Sequence, residues 1–364
     1  MRLGVLLVLV LALPATAVAA AARPVLHVRR TCFEATGPDG KAYAIFGRRY
    51  AVGSPQRSTP AIVFVHGVGS SADTWDITRR SSVARRLARA GYVTIAYDRL
   101  GYSRSRYTGA GGGDALTVTA QQRVLHDVVG ALHGGGYGVG ARCTATRLAS
   151  RRVAIAGHSA GGFIVSSYPG RYHDVVAMIQ SNAPSGLFST DPPGNAALVG
   201  LAAPAPQGSF TERYGPIGDA WNDGRHLPLA GADYAYDFAD RRACEDFNFW
   251  RPGAAKTAAT VLCDPANAIA TPRGETASFL DQAVANATLI PRTGKVPVLL
   301  AGADHDGVMP GAANALELSA WKEKCGCDVS QFVLRRTGHA FMGHRSLRRW
   351  TAHVTRWLRT HGIR

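Results

Sequence analysis

Apolar residues along this chain recur with two different periods, and the two alternate. Ala61–Val65, Tyr92–Tyr97, residues 152–156, Val175–Ile179 and Val296–Ala301 are short runs dominated by apolar side chains, as expected for strands buried on both faces; residues 331–335 form another. Between them the apolar positions switch to helical spacing. Val83, Leu87 and Ala90 mark a helix over 78–90, and further helices are expected over 117–133, from Ser159 to about Ser167, over 311–323 and over 345–360. Upstream, 24–30 and 42–52 have strand character and flank a Gly-Pro-Asp-Gly turn at 37–40, which predicts an antiparallel hairpin at a sheet edge. Strands alternating with helices imply a mostly parallel central sheet flanked by helices, an α/β architecture. The alternation stops between Pro184 and Ala285. That stretch is rich in Pro, Gly and aromatics (Phe210, Trp221, Tyr234, Phe247, Phe249, Trp250) and reads as an insertion into one domain. In the last helix Leu347, Trp350, Val354, Trp357 and Leu358 form one stripe, and Arg345, Arg348, Arg349, Arg356 and Arg359 fall mostly off it. It is expected to dock on the sheet with a solvated basic face.

The first residues have a different character. Met1-Arg2 precedes an apolar run from Leu3 to Leu13, followed by Ala17-Val18-Ala19. A basic start, a short apolar core and an A-x-A end predict a secretory signal peptide over 1–22, cleaved between Ala17 and Ala22. The run is short for a membrane span, so a soluble, exported protein (extracellular or associated with the cell envelope) is expected, without stable membrane insertion. Six cysteines in an exported chain favour disulfides. Cys244 and Cys263, both inside the insertion, are expected to pair. Cys325-Gly326-Cys327 is awkwardly close for a mutual bridge, and spacing leaves the remaining cysteines unassigned.

Formal net charge is +16, with 41 basic residues of which only five are lysines. A GC-rich coding bias explains the arginine excess; attraction to anionic cell walls, membranes or substrates is the functional alternative. Nothing resembles a nucleic-acid-binding module, and Gly109–Gly113 lacks the G-K-[ST] ending of a phosphate-binding loop, so no nucleic-acid partner is expected.

Candidate chemistry centres on Gly157-His158-Ser159-Ala160-Gly161, a G-x-S-x-G turn entered from a strand and left through a helix. Such an elbow lifts one serine hydroxyl toward solvent, and its glycines let strand and helix approach closely. A serine nucleophile needs a histidine base held in one tautomer by a carboxylate. Past the strand ending near Gly302, Asp306 is preferred as that acid over Asp304, and the one left over is assigned to turn chemistry. His339, in Thr337-Gly338-His339, follows the last strand and is the base candidate, ahead of His344, His353 and His361; His158 is expected to point elsewhere. In Phe64-Val65-His66-Gly67-Val68, the backbone N–H of Val68, with that of Ala160, is expected to form an oxyanion hole. His66 and Gly67 support that turn, as Gly157 and Gly161 support the elbow.

Together, His66-Gly67, Tyr97-Asp98-Arg99-Leu100-Gly101-Tyr102-Ser103, Gly157–Gly161 and Asp306 with Gly338-His339 resemble the α/β-hydrolase superfamily, in its secreted serine esterase and lipase-like branch. The resemblance covers most of 24–360 outside the insertion. It implies an α/β-hydrolase fold built as residues 23–183 and 286–364, with 184–285 as a cap over the site. It places Asp98 in a structural role and Arg99 at the pocket mouth. The segment Gly302–Asp306 is also similar to the acid loop of polyester-cleaving cutinases, which lack a large insertion. The implied activity is hydrolysis of small-molecule or lipid carboxylic esters through an acyl-enzyme on Ser159, without cofactor or metal. Exported acyl transfer is the alternative, and cofactor-free haloperoxidase, lactonase, carbon–carbon hydrolase or peptidase chemistry would use the same triad. A non-catalytic binding protein on the same scaffold is the third class. A serine at the elbow argues against the relatives that use an aspartate nucleophile there.

Overall fold

The computed structural model describes residues 24–145, 148–186, 234–236, 244–245, 248–249, 251–264, 269–306, 309 and 311–364. The expected signal peptide and much of the expected insertion, including Phe210, Trp221, Phe247 and Trp250, lie outside the described residues.

β1 (Leu26–Thr36) and β2 (Ala42–Val52) form the hairpin, with Leu26 opposite Val52 and Thr36 opposite Ala42. β1 runs beyond residue 30 because period-two burial continues through Thr31, Phe33 and Ala35. Next come β3 (Ala61–Val65), α1 (Val83–Arg89), β4 (Val93–Tyr97) and α2 (Val118–Gly134). α1 starts later than its periodicity suggests, because the Ser82 hydroxyl accepts the Arg85 N–H at 3.0 Å and caps it there. β5 (Gly138–Val139), β6 (Thr144–Ala145), β7 (Val153–His158), α3 (Ala160–Ser166), α4 (Tyr168–Tyr172) and β8 (Ala177–Ser181) follow. Within and after the insertion lie β9 (Tyr234–Tyr236), α5 (Lys256–Leu262), β10 (Ala270–Pro272), α6 (Arg273–Ala277) and α7 (Phe279–Leu289). The chain closes with β11 (Val298–Ala303), α8 (Gly311–Lys324), β12 (Val329–Leu334) and α9 (Leu347–Thr360).

The sheet order is β12-β11-β8-β7-β3-β4-β2-β1-β5-β6. From β12 to β4 every neighbouring pair is parallel, and from β4 to β6 every pair is antiparallel. The hairpin is therefore not at the edge: β5 and β6 extend the sheet past β1, and a Cys32–Cys143 disulfide with Cα atoms 5.9 Å apart ties the two together. Cys244 pairs with Cys263. Cys325 and Cys327 also pair, contrary to expectation. Gly326 takes φ +61°, which turns the chain enough to bring their Cα atoms within 5.1 Å.

Both sheet faces are covered by apolar layers. On one face α2 and α3 bury Val124, Val128, Phe163 and Ile164, and Phe279 of α7 joins them edge-on to Phe163 at 5.2 Å. On the other, α1 and α9 bury Val83, Leu87, Trp350, Val354 and Leu358, each worth roughly 1.5–3 kcal/mol if large. The five arginines of the last helix region stay exposed. Among the described residues no helix is long and apolar enough to cross a membrane.

Candidate active site

At the end of β7 the chain turns sharply. Ser159 has φ 56° and ψ −129°, a conformation that costs a residue with a Cβ on the order of 1–3 kcal/mol. Two backbone bonds hold it there: the Ser159 N–H donates to Ser181 O, and Ser159 O accepts from the Phe163 N–H, both at 3.0 Å. A Cβ on Gly157 would collide with the Gly161 carbonyl, and one on Gly161 with the Val65 carbonyl, so only glycines let β7, β3 and α3 meet. Ser159 remains half-buried among fully buried neighbours.

The turn after β3 rises beside this serine. A Cβ placed on Gly67 would stand 2.9 Å from Ser159 Cβ and 3.3 Å from its Oγ. His66 is fully buried, and both ring nitrogens are used. Nε2 accepts the Arg99 N–H at 3.1 Å, so Nδ1 carries the proton and donates to Gly67 O at 2.8 Å. Burial, then the Arg99 charge, holds His66 well below the ordinary histidine range, so it is a neutral brace. Gly67 O accepts a second bond from Arg99 Nη2 at 3.0 Å. In a trans peptide the carbonyl and the following N–H point in opposite directions, so this double anchor fixes the direction of the Val68 N–H.

Arg99 differs from expectation. It is not at a pocket mouth but fully buried, ion-paired with Glu275 of α6, its guanidinium 4.3 Å from the Tyr102 ring centroid. Glu275 supplies the compensating charge that lets Arg99 leave water. The neighbouring Gly69 N–H donates to Thr271 Oγ1 at 2.8 Å, so β10 and α6 are both wired to this turn. Asp98 is structural, accepting from the Ala72 N–H at 2.8 Å and from Arg104 Nε at 2.6 Å.

Beyond β11 and β12 the two aspartates separate by role. Asp306 Oδ1 accepts from His339 Nδ1 at 2.8 Å, both side chains buried, and from the Met309 N–H at 3.3 Å. Asp304 instead accepts the Arg336 and Thr337 N–H groups at 2.9 and 3.1 Å and His305 Nδ1 at 2.7 Å. Partial burial pushes the Asp304 carboxyl up, but these hydrogen bonds outweigh it and hold the group below the usual range. His344 staples the His339 loop: Nε2 accepts the Gly338 N–H and Nδ1 donates to Ala340 O, both at 3.0 Å. The His339 carbonyl receives His158 Nε2 at 2.9 Å and Asn182 Nδ2 at 3.0 Å, which joins the elbow to the loop. Burial, then the neighbouring His339, lowers His158 to about 3, so it donates as a neutral ring.

The structure thus brings Gly67 against Ser159, pairs Asp306 with His339, and puts Asp304, His344 and His158 in bracing positions. Glu275, Thr271 and Asn182 were not legible beforehand. Each is a single polar residue with no local pattern, and Glu275 meets Arg99 across 176 positions. Part of the insertion reaches this site as well. Ala340 N–H donates to Asn248 O at 2.9 Å, Ala255 N–H donates to Gly343 O at 2.8 Å, and buried Phe249 packs on the His344 ring at 5.3 Å.

Comparison with known proteins gives the family and the fold. The model of the alpha/beta hydrolase family matches residues 62–349. A putative aryl esterase from Burkholderia cenocepacia is similar in structure at TM-score 0.56 and 16% identity, covering 92% of this chain and 100% of its own. A monoacylglycerol lipase from Paleococcus ferrophilus gives 0.54 and 16%, covering 84% of this chain and 96% of its own. A thermophilic esterase from Thermogutta terrifontis gives 0.54 and 16%, covering 91% and 98%. At this identity the likeness shows the fold. No curated protein sequence matches the chain.

Proposed function

The chain belongs to the alpha/beta hydrolase family, and from that premise we propose that it is an exported serine hydrolase of carboxylic esters. The observation that carries the proposal is the buried His339–Asp306 hydrogen bond of 2.8 Å on the loop whose backbone is bonded to the elbow of Ser159. With its Nδ1 proton donated to Asp306, His339 presents Nε2 as the base. Ser159 Oγ attacks the ester carbonyl carbon and its proton passes to His339. The oxyanion is held by the N–H groups of Val68 and Ala160, each worth about 3 kcal/mol to the transition state. The bond to the alcohol oxygen then breaks, and His339 returns the proton to the leaving alcohol. Water, deprotonated by His339, attacks the acyl carbon and releases the acid and free Ser159.

Arg99 and Glu275 act as positioning residues by anchoring Gly67 O. Residues 184–285 form a cap, a reading supported by the bonds from Asn248 and Thr271 to the two functional loops. The three disulfides support an oxidising, extracellular setting. Short p-nitrophenyl esters test the reaction directly. Ser159→Ala is expected to lower kcat on the order of 10⁶-fold and to abolish labelling by a fluorophosphonate probe, and equal rates in the two proteins would refute the proposal.

A further inference from the structure

α1 and α9 lie side by side on one sheet face, and an open groove of about 760 Å³ runs along them. Arg86 and Arg89 of α1 line it with Arg348, Arg356 and Arg359 of α9, and no acidic side chain does. None of the five makes an ion pair among the described residues, whereas Arg48, Arg85, Arg99 and Arg104 all do. Arg86 Nε is sealed from solvent without a hydrogen-bond partner. Burial, then the charges of Arg348 and Arg89, holds the Arg86 guanidinium below its ordinary value, so its neighbours repel it where an anion would stabilise it.

Length and charge together point to the class of ligand. Arg348 to Arg359 spans eleven residues of one helix, about 16 Å. Three of the five cations lie on α9 over that length and two stand beside them on α1, so both walls of the groove carry positive charge. Guanidinium forks bind phosphate oxygens in pairs, and a phosphate chain offers such oxygens repeatedly along a groove of that length, where an isolated carboxylate offers one pair. The large apolar residues of α9 all point into the core and only the small Ala352 faces the groove, so this face has no anchor to insert into a bilayer. We propose that the groove is a binding site for a linear, phosphate-bearing polyanion. None of the residues proposed for ester hydrolysis lines it, so a bound polymer would tether the enzyme and leave the ester site open.

The test uses the full mature protein and inorganic polyphosphate, titrated by calorimetry over a series of salt concentrations. Arg348→Glu/Arg356→Glu is compared with Arg29→Glu/Arg30→Glu, which changes net charge equally at exposed positions of β1. Thermal unfolding checks that both variants are folded. Binding that weakens linearly in log–log with salt, by about tenfold or more in the groove variant and under about threefold in the control, supports the site. Equal weakening in both variants would assign binding to net charge and overturn it. So would no binding at about 0.15 M salt, or tighter binding to phosphatidylglycerol vesicles than to polyphosphate.

Discussion

The turn carrying Gly67 and the loop carrying His339 are both stapled from behind by a neutral histidine bonded through both ring nitrogens, His66 in one case and His344 in the other. They differ in what is added. The turn receives a buried charge pair, Arg99–Glu275, while the buried side of the His339 loop receives the neutral donors His158 and Asn182. The reaction proposed for the site explains the difference. Negative charge develops beside the turn, where a balanced cation does no harm. Positive charge develops on His339, and a fixed cation as close as the His158 ring, 4.8 Å away, would oppose it. Holding His158 at about 3 keeps that ring uncharged.

Substitutions on the two sides should break in different ways. The largest effect is expected at the acid: Asp306→Asn should reduce kcat on the order of 10⁴-fold with little change in stability, since Asn keeps the shape but selects the wrong imidazole tautomer. Asp304→Asn should cost under about tenfold in kcat, because that residue ties backbone N–H groups instead. A reversed ranking in steady-state kinetics would exchange their roles. On the charged side, Glu275→Gln should cost about 3–5 kcal/mol in denaturant unfolding, because it strands a buried guanidinium. Arg99→Met/Glu275→Leu should recover most of that stability yet lower kcat, since it is this double variant that removes the second anchor on Gly67 O. Recovered stability with an unchanged kcat would show that the pair does not position the Val68 N–H.

On the neutral side, His344→Ala should cost roughly 1–3 kcal/mol for each buried group it leaves unpaired, read as a fall in Tm. The smallest effect at neutral pH comes from His158→Gln, which can keep the donor to His339 O. His158 is depressed to about 3 against about 6.5 in the unfolded chain, so between those values the unfolded state binds more protons. Its contribution is fully present above about pH 6.5 and falls by up to about 1.4 kcal/mol per unit as pH drops toward 3. The Gln variant should flatten that acid limb in a stability–pH series, and an unchanged slope would rule out His158 as its source.

Much of this could be read from local pattern. Strand and helix periods, the glycines around Ser159 and the order Ser159, Asp306, His339 follow rules that span a few residues or a fixed chain order, so the parallel half of the sheet and the paired Asp306–His339 were legible. Misplaced elements had equally local causes that periodicity does not register, such as the Ser82 cap of α1 and the turn at Gly326. Beyond the local braces His66, Asp304 and the supporting glycines, the bracing of the site was not legible. Arg99 with Glu275, Gly69 with Thr271 and His158 with His339 meet across 176, 202 and 181 positions. A buried polar group must find its partner wherever folding brings one, and at such separations no spacing records which residue it will be. The chain's pattern dictates the elements and the reactive groups; the packing of distant segments dictates how rigidly, and with what surrounding charge, those groups are held.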